Sequence, residues 1–157
     1  MNIIEQAELS AEQKARIVEL WNAEYPLSIG YSEVSGFDDY LNNLGDKKHF
    51  LLMDLADKVV GWALLFEREN AKWFAIIIDG NSQGQGFGAK LIDALKATEN
   101  RFFGWVIDDD DNLKSNGEKY RSPLGFYKKL GFKVHVNDKI VKQQISGVKI
   151  EWNALDI

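Results

Sequence analysis

The chain has 157 residues, of which 45% are apolar and 27% are charged, a composition that predicts one globular domain spanning 1–157. It contains no cysteine and only two histidines, His49 and His135, so disulfides and thiolate metal sites are excluded and no bound metal is expected. The formal net charge of −5 argues against a nucleic-acid partner.

The N-terminal residues and the longest apolar runs indicate a cytoplasmic location. No apolar run approaches the roughly 20 residues of a membrane-spanning helix, so no membrane association is expected. The first residues lack the basic region that begins a signal peptide, and they include Glu5.

The first half of the chain predicts helices followed by antiparallel strands. A short opening strand precedes a helix that Ser10 and Gln13 begin as a capping box and that ends near Tyr25. A second short helix is expected after Ser35. Hydrophobic runs separated by polar turns then predict three strands, at 49–56, 59–67 and 73–78.

The second half predicts one crossover between parallel strands. The strand at 73–78 is apolar on both faces, as a central strand should be. A glycine-rich turn, an amphipathic helix and a buried strand at 101–108 follow it, which is the order of a βαβ unit. Ser122 and Pro123 predict the N-cap and first residue of a helix that ends at Gly131, and an antiparallel pair closes the chain. The predicted fold class is α/β (α+β), with a mixed, mostly antiparallel central sheet, one βαβ crossover and helices on both faces.

The turn after the central strand contains three alternating glycines, Gly84, Gly86 and Gly88. Without side chains, the backbone can take positive φ angles and approach an anion closely. The first N–H groups of the following helix have no partner inside the helix, and the helix dipole adds positive potential there. The pattern therefore predicts a phosphate-binding turn.

Two familiar phosphate-binding patterns do not fit this turn. A P-loop requires Lys followed by Ser or Thr at the helix start, whereas Ala89 and Lys90 stand there without a hydroxyl for magnesium. The dinucleotide pattern is formally matched from Gly84 to Ala89, with Asp108 as its acidic residue. The antiparallel strands that precede the turn disfavour that interpretation, because a dinucleotide turn follows the first strand of a parallel sheet.

A third pattern fits. Gln83-x-x-Gly86-x-Gly88 after a hydrophobic strand resembles motif A of the GNAT superfamily of N-acetyltransferases, and Phe126–Phe132 (FYKKLGF) resembles the end of its motif B. The resemblance extends over nearly the whole chain. It implies transfer of an acetyl or acyl group from acetyl-CoA, the cosubstrate, to a primary amine of a small molecule or peptide, by direct attack in a ternary complex.

The resemblance also implies a cofactor site. In the family, the amides of the glycine loop bind the pyrophosphate, and the preceding strand pairs with the pantetheine arm through its main chain. That strand and the next splay apart, and the thioester lies in the opening. The implied contacts here are Ile77, Ile78, Asp79, Gln83, Gly84, Gln85, Gly86, Phe87, Gly88, Ala89, Ser122 and Phe126.

The resemblance makes Tyr127 the candidate general acid, because a phenol is protonated at neutral pH and can donate to the leaving thiolate. A backbone amide near the end of the central strand would polarise the thioester carbonyl. Many family members carry a glutamate in the first half of that strand, and this chain does not. Glu67 and Asp79 are therefore the candidate bases, with a chain of water molecules as the alternative.

Motif B departs from the family pattern at two positions. Tyr120 and Pro123 stand where an asparagine and a small residue are common. The usual polar contact to the cofactor arm is therefore missing, and Ser122 or Arg121 is the candidate replacement.

The acceptor is not identified by the sequence. In the family it binds between the N-terminal helical region and the late loops, and the acidic run Asp108–Asp111 favours a cationic amine there. Since the strand glutamate is missing, a non-catalytic acyl-CoA-binding module is an alternative function, and a dinucleotide-binding oxidoreductase is a weaker one. Family members are often dimers, so the partners to consider are an amine acceptor and a second copy of the chain in a homodimer.

Overall fold

Seven strands form one mixed sheet in the computed structural model, which describes residues 1–156. The strands are β1 (Asn2–Gln6), β2 (Gly45–Met53), β3 (Val59–Arg68), β4 (Ala71–Ile78), β5 (Arg101–Ile107), β6 (Lys133–Lys142) and β7 (Ile145–Asn153). The α-helices are α1 (Ala11–Glu24), α2 (Val34–Asn42), α3 (Phe87–Thr98) and α4 (Leu124–Lys129). The order across the sheet is β1-β2-β3-β4-β5-β7-β6, and β4 with β5 is its parallel pair. The predicted fold class is confirmed.

The helices cover the two faces of the sheet with separate cores. On one face, called the α1 face, Ile17 and Phe37 of α1 and α2 pack around Trp62. On the other, called the α3 face, Leu91 and Phe102 belong to a second core that also contains side chains of α4. The central strands are apolar on both sides because each side meets one of these cores.

The predicted start of α1 is confirmed, whereas that of α4 is shifted by one residue. Ser10 and Gln13 form the predicted capping box of α1, with the Gln13 N–H donating to Ser10 Oγ at 3.1 Å and the Ser10 N–H donating to Gln13 Oε1 at 2.9 Å. The predicted N-cap of α4 was one residue too early, since Pro123 holds that position and α4 begins at Leu124. The Ser122 hydroxyl donates to the carbonyl of Ile107 and accepts the N–H of Leu124 at 3.3 Å, which ties the start of α4 to the end of β5.

The boundaries of β2 also differ from the prediction. The strand begins at Gly45, because polar residues 45–48 continue the ladder with β3 across an irregularity in register. It ends at Met53, because Asp54 Oδ1 accepts the N–H groups of Ala56 and Lys58 and so turns the chain. The predicted strand continued to residue 56 because Leu55 and Ala56 are apolar. The hydrogen bonds of the Asp54 side chain place a turn there instead.

β4 pairs with its two neighbours to different extents. Its ladder with β3 has eight pairs, from Gly61↔Ile78 to Arg68↔Ala71. Its ladder with β5 has one pair, Trp73↔Phe103. The space bordered by residues 75–79, at the end of β4, and residues 104–108, at the end of β5, is called the β4–β5 gap. The splay that the family resemblance implied is confirmed.

Candidate active site

The glycine turn forms an open cradle at the N-terminus of α3. Gly84 and Gly86 have φ angles of +74° and +86°, and no atom lies within 4 Å of the place a Cβ would occupy at either residue. Gly86 is the N-cap of α3, and no side chain caps that helix end. The first amides of α3 are therefore available to an anion, so the residues present fit the pyrophosphate of acetyl-CoA.

Gly88 allows α3 to lie directly against α4 and β4. A Cβ at Gly88 would stand 3.0 Å from Phe126 Cζ and 3.3 Å from Ile78 Cδ1. Phe87 and Ala89 are half-buried beside it, and Phe126 is 38% exposed. The structure thus brings the predicted contacts in the turn, in α4 and at the end of β4 to one place.

Alternate residues of β4 present their backbone to the β4–β5 gap. In an antiparallel ladder, residues that exchange hydrogen bonds with the neighbour alternate with residues that face away from it. The Asp79 N–H donates to the Val60 carbonyl at 2.9 Å. Ile77, two residues earlier, is therefore also among the residues that exchange hydrogen bonds with β3. Ile76 and Ile78 therefore turn their N–H and C=O groups toward the gap.

This alternation separates the two isoleucines that the sequence predicted as cofactor contacts. Ile78 is half-buried and presents its main chain to the gap. Ile77 has its main chain in the ladder with β3 and its side chain, 3% exposed, in the core of the α1 face. The neighbouring Ile76 takes the position facing the gap instead.

The carbonyls of Ile76 and Ile78, which face the gap, each accept a hydrogen bond from a side chain outside the sheet. The Tyr25 hydroxyl, from the end of α1, donates to the Ile76 carbonyl at 2.9 Å. The Gln83 side-chain amide, from the glycine turn, donates to the Ile78 carbonyl at 2.8 Å. The N–H groups of Ile76 and Ile78 are thereby left as the hydrogen-bonding groups that this edge offers to a ligand.

Tyr127 lies on the α3 face, next to the gap. Its ring packs against Phe74 of β4, with 5.7 Å between ring centroids, and against Phe132 at 5.3 Å. Burial, and to a smaller extent Tyr120, raises the pKa of Tyr127 well above 10. The phenol therefore keeps its proton throughout the neutral pH range.

Tyr25 lies on the α1 face, so the two phenols approach β4 from opposite faces of the sheet. The Tyr25 ring meets Trp21 edge-on at 4.7 Å and lies 6.4 Å from the ring of Tyr120. Burial, followed by the nearby phenols of Tyr120 and Tyr127, raises the pKa of Tyr25 well above 10. The gap is consequently bordered by neutral phenols.

The two carboxylates predicted as bases lie in different places. Asp79 is at the cradle end of β4, where its carboxylate accepts hydrogen bonds from Arg16 Nη2 and from the Asn81 N–H, each at 3.0 Å. Glu67 lies opposite Lys72, near the start of β4 and about 20 Å along the strand from Ile78. The structure therefore does not bring Glu67 to the cradle end of the gap.

Glu24, which the sequence analysis did not identify, connects three segments beside the cradle. Its carboxylate accepts hydrogen bonds from the Gly80 N–H at 2.8 Å and from Gln83 Nε2 and Lys114 Nζ at 3.4 Å each. No local pattern marks this residue, because Gly80 lies 56 positions away in the chain. Glu24 holds the end of α1 against the turn that follows β4.

The loop between β5 and α4 (residues 108–123, the β5–α4 loop) reaches across to the α1 side. The Leu27 N–H donates to the Leu113 carbonyl at 2.8 Å, and Lys114 pairs with Glu24. A cavity of about 270 Å³ lies between this loop and the connection from α1 to α2, and it is lined by Asn22, Leu27, Gly30, Tyr31, Ser32 and Ser115.

The acidic run that begins the β5–α4 loop is partly engaged within the fold. Asp108 pairs with Lys139 at 3.0 Å, and Asp110 Oδ1 accepts the N–H of Ser122 at 2.6 Å. Asp109 Oδ1 accepts the N–H of Asp111 at 3.2 Å. These carboxylates therefore have a structural role in the loop. That role explains part of the acidic run, which the sequence analysis interpreted as favouring a cationic amine.

Within 1–156, no helix is both long and apolar enough to cross a membrane. No group of three or more His, Asp or Glu side chains in that range could hold a metal ion.

Comparison with solved structures shows the same fold in known acetyltransferases. Two structures of aminoglycoside 6'-N-acetyltransferase, one from Enterococcus faecium and one complexed with coenzyme A, each have 14% identity to this chain, a TM-score of 0.69 and 96% coverage of both chains. A spermidine N-acetyltransferase from Vibrio cholerae has 16% identity and a TM-score of 0.66, with 98% of this chain and 95% of that chain covered. No curated protein matches the sequence.

The sequence itself matches a family model over more than half of its length. The match, to the acetyltransferase (GNAT) domain, covers residues 46–134. This range runs from β2 to the start of β6, so it contains the glycine cradle, both borders of the β4–β5 gap and Tyr127. The chain therefore belongs to the GNAT family of acetyltransferase domains.

Proposed function

We propose that this chain transfers the acetyl group of acetyl-CoA to a primary amine by direct attack in a ternary complex. The observation that carries the proposal is the β4–β5 gap, where pairing stops after Trp73↔Phe103. The gap joins an anion cradle on one side to a phenol-bordered opening on the other. Such an opening allows two substrates to meet from opposite faces of the sheet.

The chain binds the cofactor, in this proposal, through backbone amides. The amides from Gln83 to Ala89 hold the pyrophosphate at the start of α3. Ile78 and Phe126 border the path from this cradle to the gap, where the edge N–H groups of β4 face the pantetheine arm. Bound acetyl-CoA supplies the activated acyl group.

The residues of the gap then act on the reacting bonds. The Ile76 N–H donates to the thioester carbonyl and stabilises the negative charge that develops on its oxygen. As the carbon–nitrogen bond forms and the carbon–sulfur bond breaks, the Tyr127 hydroxyl donates to the leaving sulfur. The raised pKa of Tyr127 keeps this donor protonated before the reaction. Its main contribution is therefore a hydrogen bond that stabilises the thiolate as it forms.

We propose that water, rather than Glu67 or Asp79, removes the proton from the attacking amine. Asp79 is occupied by Arg16 at 3.0 Å, and Glu67 lies toward the other end of β4. A base must lie within hydrogen-bond reach of the proton it takes, directly or through one water. The amine enters from the α1 face, where Tyr25 and the β5–α4 loop border the gap.

The relatives and the charge near the opening support a cationic acceptor. The similar structures are named for transfer to aminoglycosides and spermidine, which are amines that carry positive charge. The carboxylates of Asp109, Asp110 and Asp111 in the β5–α4 loop favour such cations over anionic amines, whereas Asp108 and Glu24 are already paired with lysines. Small cationic amines are therefore the first substrates to test.

Release of free thiol from acetyl-CoA in the presence of a panel of amines tests the proposal. The panel contains polyamines, amino sugars, amino acids and lysine peptides, and a reaction without amine gives the background. We expect release above background with at least one small cationic amine. Thermal unfolding with acetyl-CoA and with NAD is measured in parallel, because a ligand of the folded state raises the melting temperature. Stabilisation by acetyl-CoA without thiol release across the panel would instead support the non-catalytic binding module.

A further inference from the structure

We propose that Tyr25 is a positioning residue for acyl transfer, acting by occupying the Ile76 carbonyl so that β4 presents its N–H groups to the thioester. The inference rests on the proposed function. It concerns a residue of α1, outside both the glycine turn and the FYKKLGF helix.

The contact that carries the inference joins two distant parts of the chain. Tyr25 Oη and the Ile76 carbonyl are 2.9 Å apart, and the two residues are separated by 51 positions. Ile76 lies beyond the Trp73↔Phe103 pair, where β5 no longer supplies donors to the edge of β4. The hydroxyl therefore takes the place of a donor that a fully paired neighbouring strand would provide.

Occupying the carbonyl changes what the edge can bind. A free strand edge offers alternating donors and acceptors and is a template for any extended chain. Here Tyr25 occupies the Ile76 acceptor, and Gln83 occupies the Ile78 acceptor at 2.8 Å. The edge therefore offers donors, which suit ligand carbonyl oxygens such as that of a thioester.

Tyr25 is held in place by α1 and its surroundings rather than by β4. Its backbone N–H donates to the Trp21 carbonyl at 3.0 Å and closes the last turn of α1. Its ring lies edge-on to Trp21 at 4.7 Å and near Tyr120 at 6.4 Å. A donor fixed by these contacts sets the position of the Ile76 carbonyl and, through the same residue, of the Ile76 N–H that faces the gap. A misplacement of about 1 Å at a reacting centre can cost on the order of 100-fold in rate.

The test compares Tyr25→Phe with Tyr40→Phe. Each substitution removes one hydroxyl, and both rings pack against Trp21, but the hydroxyl that donates to the Ile76 carbonyl belongs to Tyr25. Binding of acetyl-CoA is measured by thermal shift. Polarisation of the carbonyl is measured by the infrared stretch of a ¹³C-labelled acetyl group on the bound cofactor. Thiol release is measured with the best amine, or with water if no amine reacts.

We expect Tyr25→Phe to bind acetyl-CoA within about twofold of wild type but to lose most of the low-frequency shift of the carbonyl stretch. Its kcat should fall roughly tenfold, with KM for acetyl-CoA nearly unchanged, because the lost interaction is strongest in the transition state. Tyr40→Phe should match wild type in every measurement. A carbonyl stretch and kcat in Tyr25→Phe equal to those of Tyr40→Phe would overturn the proposal, as would a loss confined to KM.

Two further outcomes are separated by the same design. If wild-type protein does not bind acetyl-CoA, the proposed function fails, and this inference fails with it. If Tyr25→Phe does not fold, the ¹⁵N resonance of the Ile76 amide in wild-type protein decides. A shift that occurs with acetyl-CoA but not with CoA supports the edge as a thioester donor, and equal shifts overturn it.

Discussion

The two edges of β4 have the same backbone chemistry and are used in opposite ways. On the β3 side, eight residue pairs complete the ladder from Ala71 to Ile78. On the β5 side, pairing stops after Trp73, and the carbonyls of Ile76 and Ile78 are occupied by side chains. The paired edge fixes the register of β4, while the open edge keeps its donors for a ligand. Stability and chemistry can therefore be perturbed separately.

The largest expected effect is the loss of activity in Tyr127→Phe, which changes a side chain beside the open edge of β4. Loss of the donor to the leaving thiolate should lower the rate of thiol release about 100-fold. The melting temperature should stay close to that of wild type, because the ring contacts with Phe74 and Phe132 remain. Tyr40→Phe, which removes a buried phenol of α2 whose pKa is raised to about 12, is the control and should keep full activity. Equal rates for Tyr127→Phe and wild type across the pH range would refute the assignment.

Gly104→Ala tests the packing at the point where β4 and β5 stop pairing. A Cβ at Gly104 would clash with Cε1 of the Phe74 ring, next to Trp73↔Phe103, the one pair between β4 and β5. Overpacking at this point should lower the free energy of unfolding by about 1–3 kcal/mol, measured by urea denaturation. Gly125→Ala, with no atom within 4 Å of its Cβ position and a helical backbone, should be neutral or slightly stabilising. Equal free energies of unfolding for the two variants would show that the Phe74 ring moves aside without destabilising the fold.

The dependence of stability on pH examines the paired strands on the β3 side of β4. His49 of β2 is 1% exposed and accepts a hydrogen bond from Trp62 Nε1 at 3.1 Å. Burial, and then Lys47 and Lys14, lower its pKa from 6.5 to about 4. Between about pH 6.5 and 4, the unfolded chain binds a proton that the folded chain does not, so stability should fall by about 1–2 kcal/mol as the pH is lowered.

The corresponding variant is His49→Gln, which keeps an acceptor near Trp62 and cannot titrate. Its free energy of unfolding should change less between pH 7 and pH 5 than that of wild type. The slopes are compared by urea denaturation at each pH, since the substitution itself also changes stability at all pH values. Parallel slopes for the two proteins would mean that His49 titrates alike in the folded and unfolded chains.

The smallest effect is expected from Gly86→Ala, paired with Gly131→Ala. The two glycines have φ angles of +86° and +91°, with open space at each Cβ position. Each alanine should cost about 1 kcal/mol of stability through backbone strain. Only Gly86→Ala should also weaken acetyl-CoA binding, by about tenfold, because its Cβ enters the anion cradle. Calorimetric titration checks this, and equal affinities in the two variants would contradict the cradle.

Much of the fold could be predicted because its signals are local. Apolar runs separated by turn residues gave the strands, the capping box at Ser10 gave the start of α1, and Gly131 gave the end of α4. The boundaries that failed depend on contacts outside a short window. β2 begins before its apolar run because residues 45–48 pair with β3. Ser122 bonds to Ile107 of β5 as well as to the Leu124 N–H, and it stands one residue before the N-cap of α4.

The candidate site was predicted in part for the same reason. Alternating glycines mark the cradle within a few residues, whereas the positions of Tyr25 and Glu24 depend on partners more than 50 residues away. The alternation of the β4 backbone also needs the register with β3, so Ile77 and Ile78 could not be distinguished from sequence. Long-range pairing supplies that register, and a single sequence does not encode it in any local pattern.

The attachment of the β5–α4 loop to α1 has an evolutionary consequence. The loop is fastened through Leu113 to Leu27 and through Lys114 to Glu24, whereas the cradle is built from residues 83–89 of the turn and α3. Glu24 also accepts hydrogen bonds from Gly80 and Gln83 of the cradle turn. Mutations that keep Glu24 can therefore accumulate on the proposed amine side without disturbing how the cofactor is held. A duplicated gene of this kind could acquire a new amine by altering two surface segments while inheriting its acyl donor unchanged.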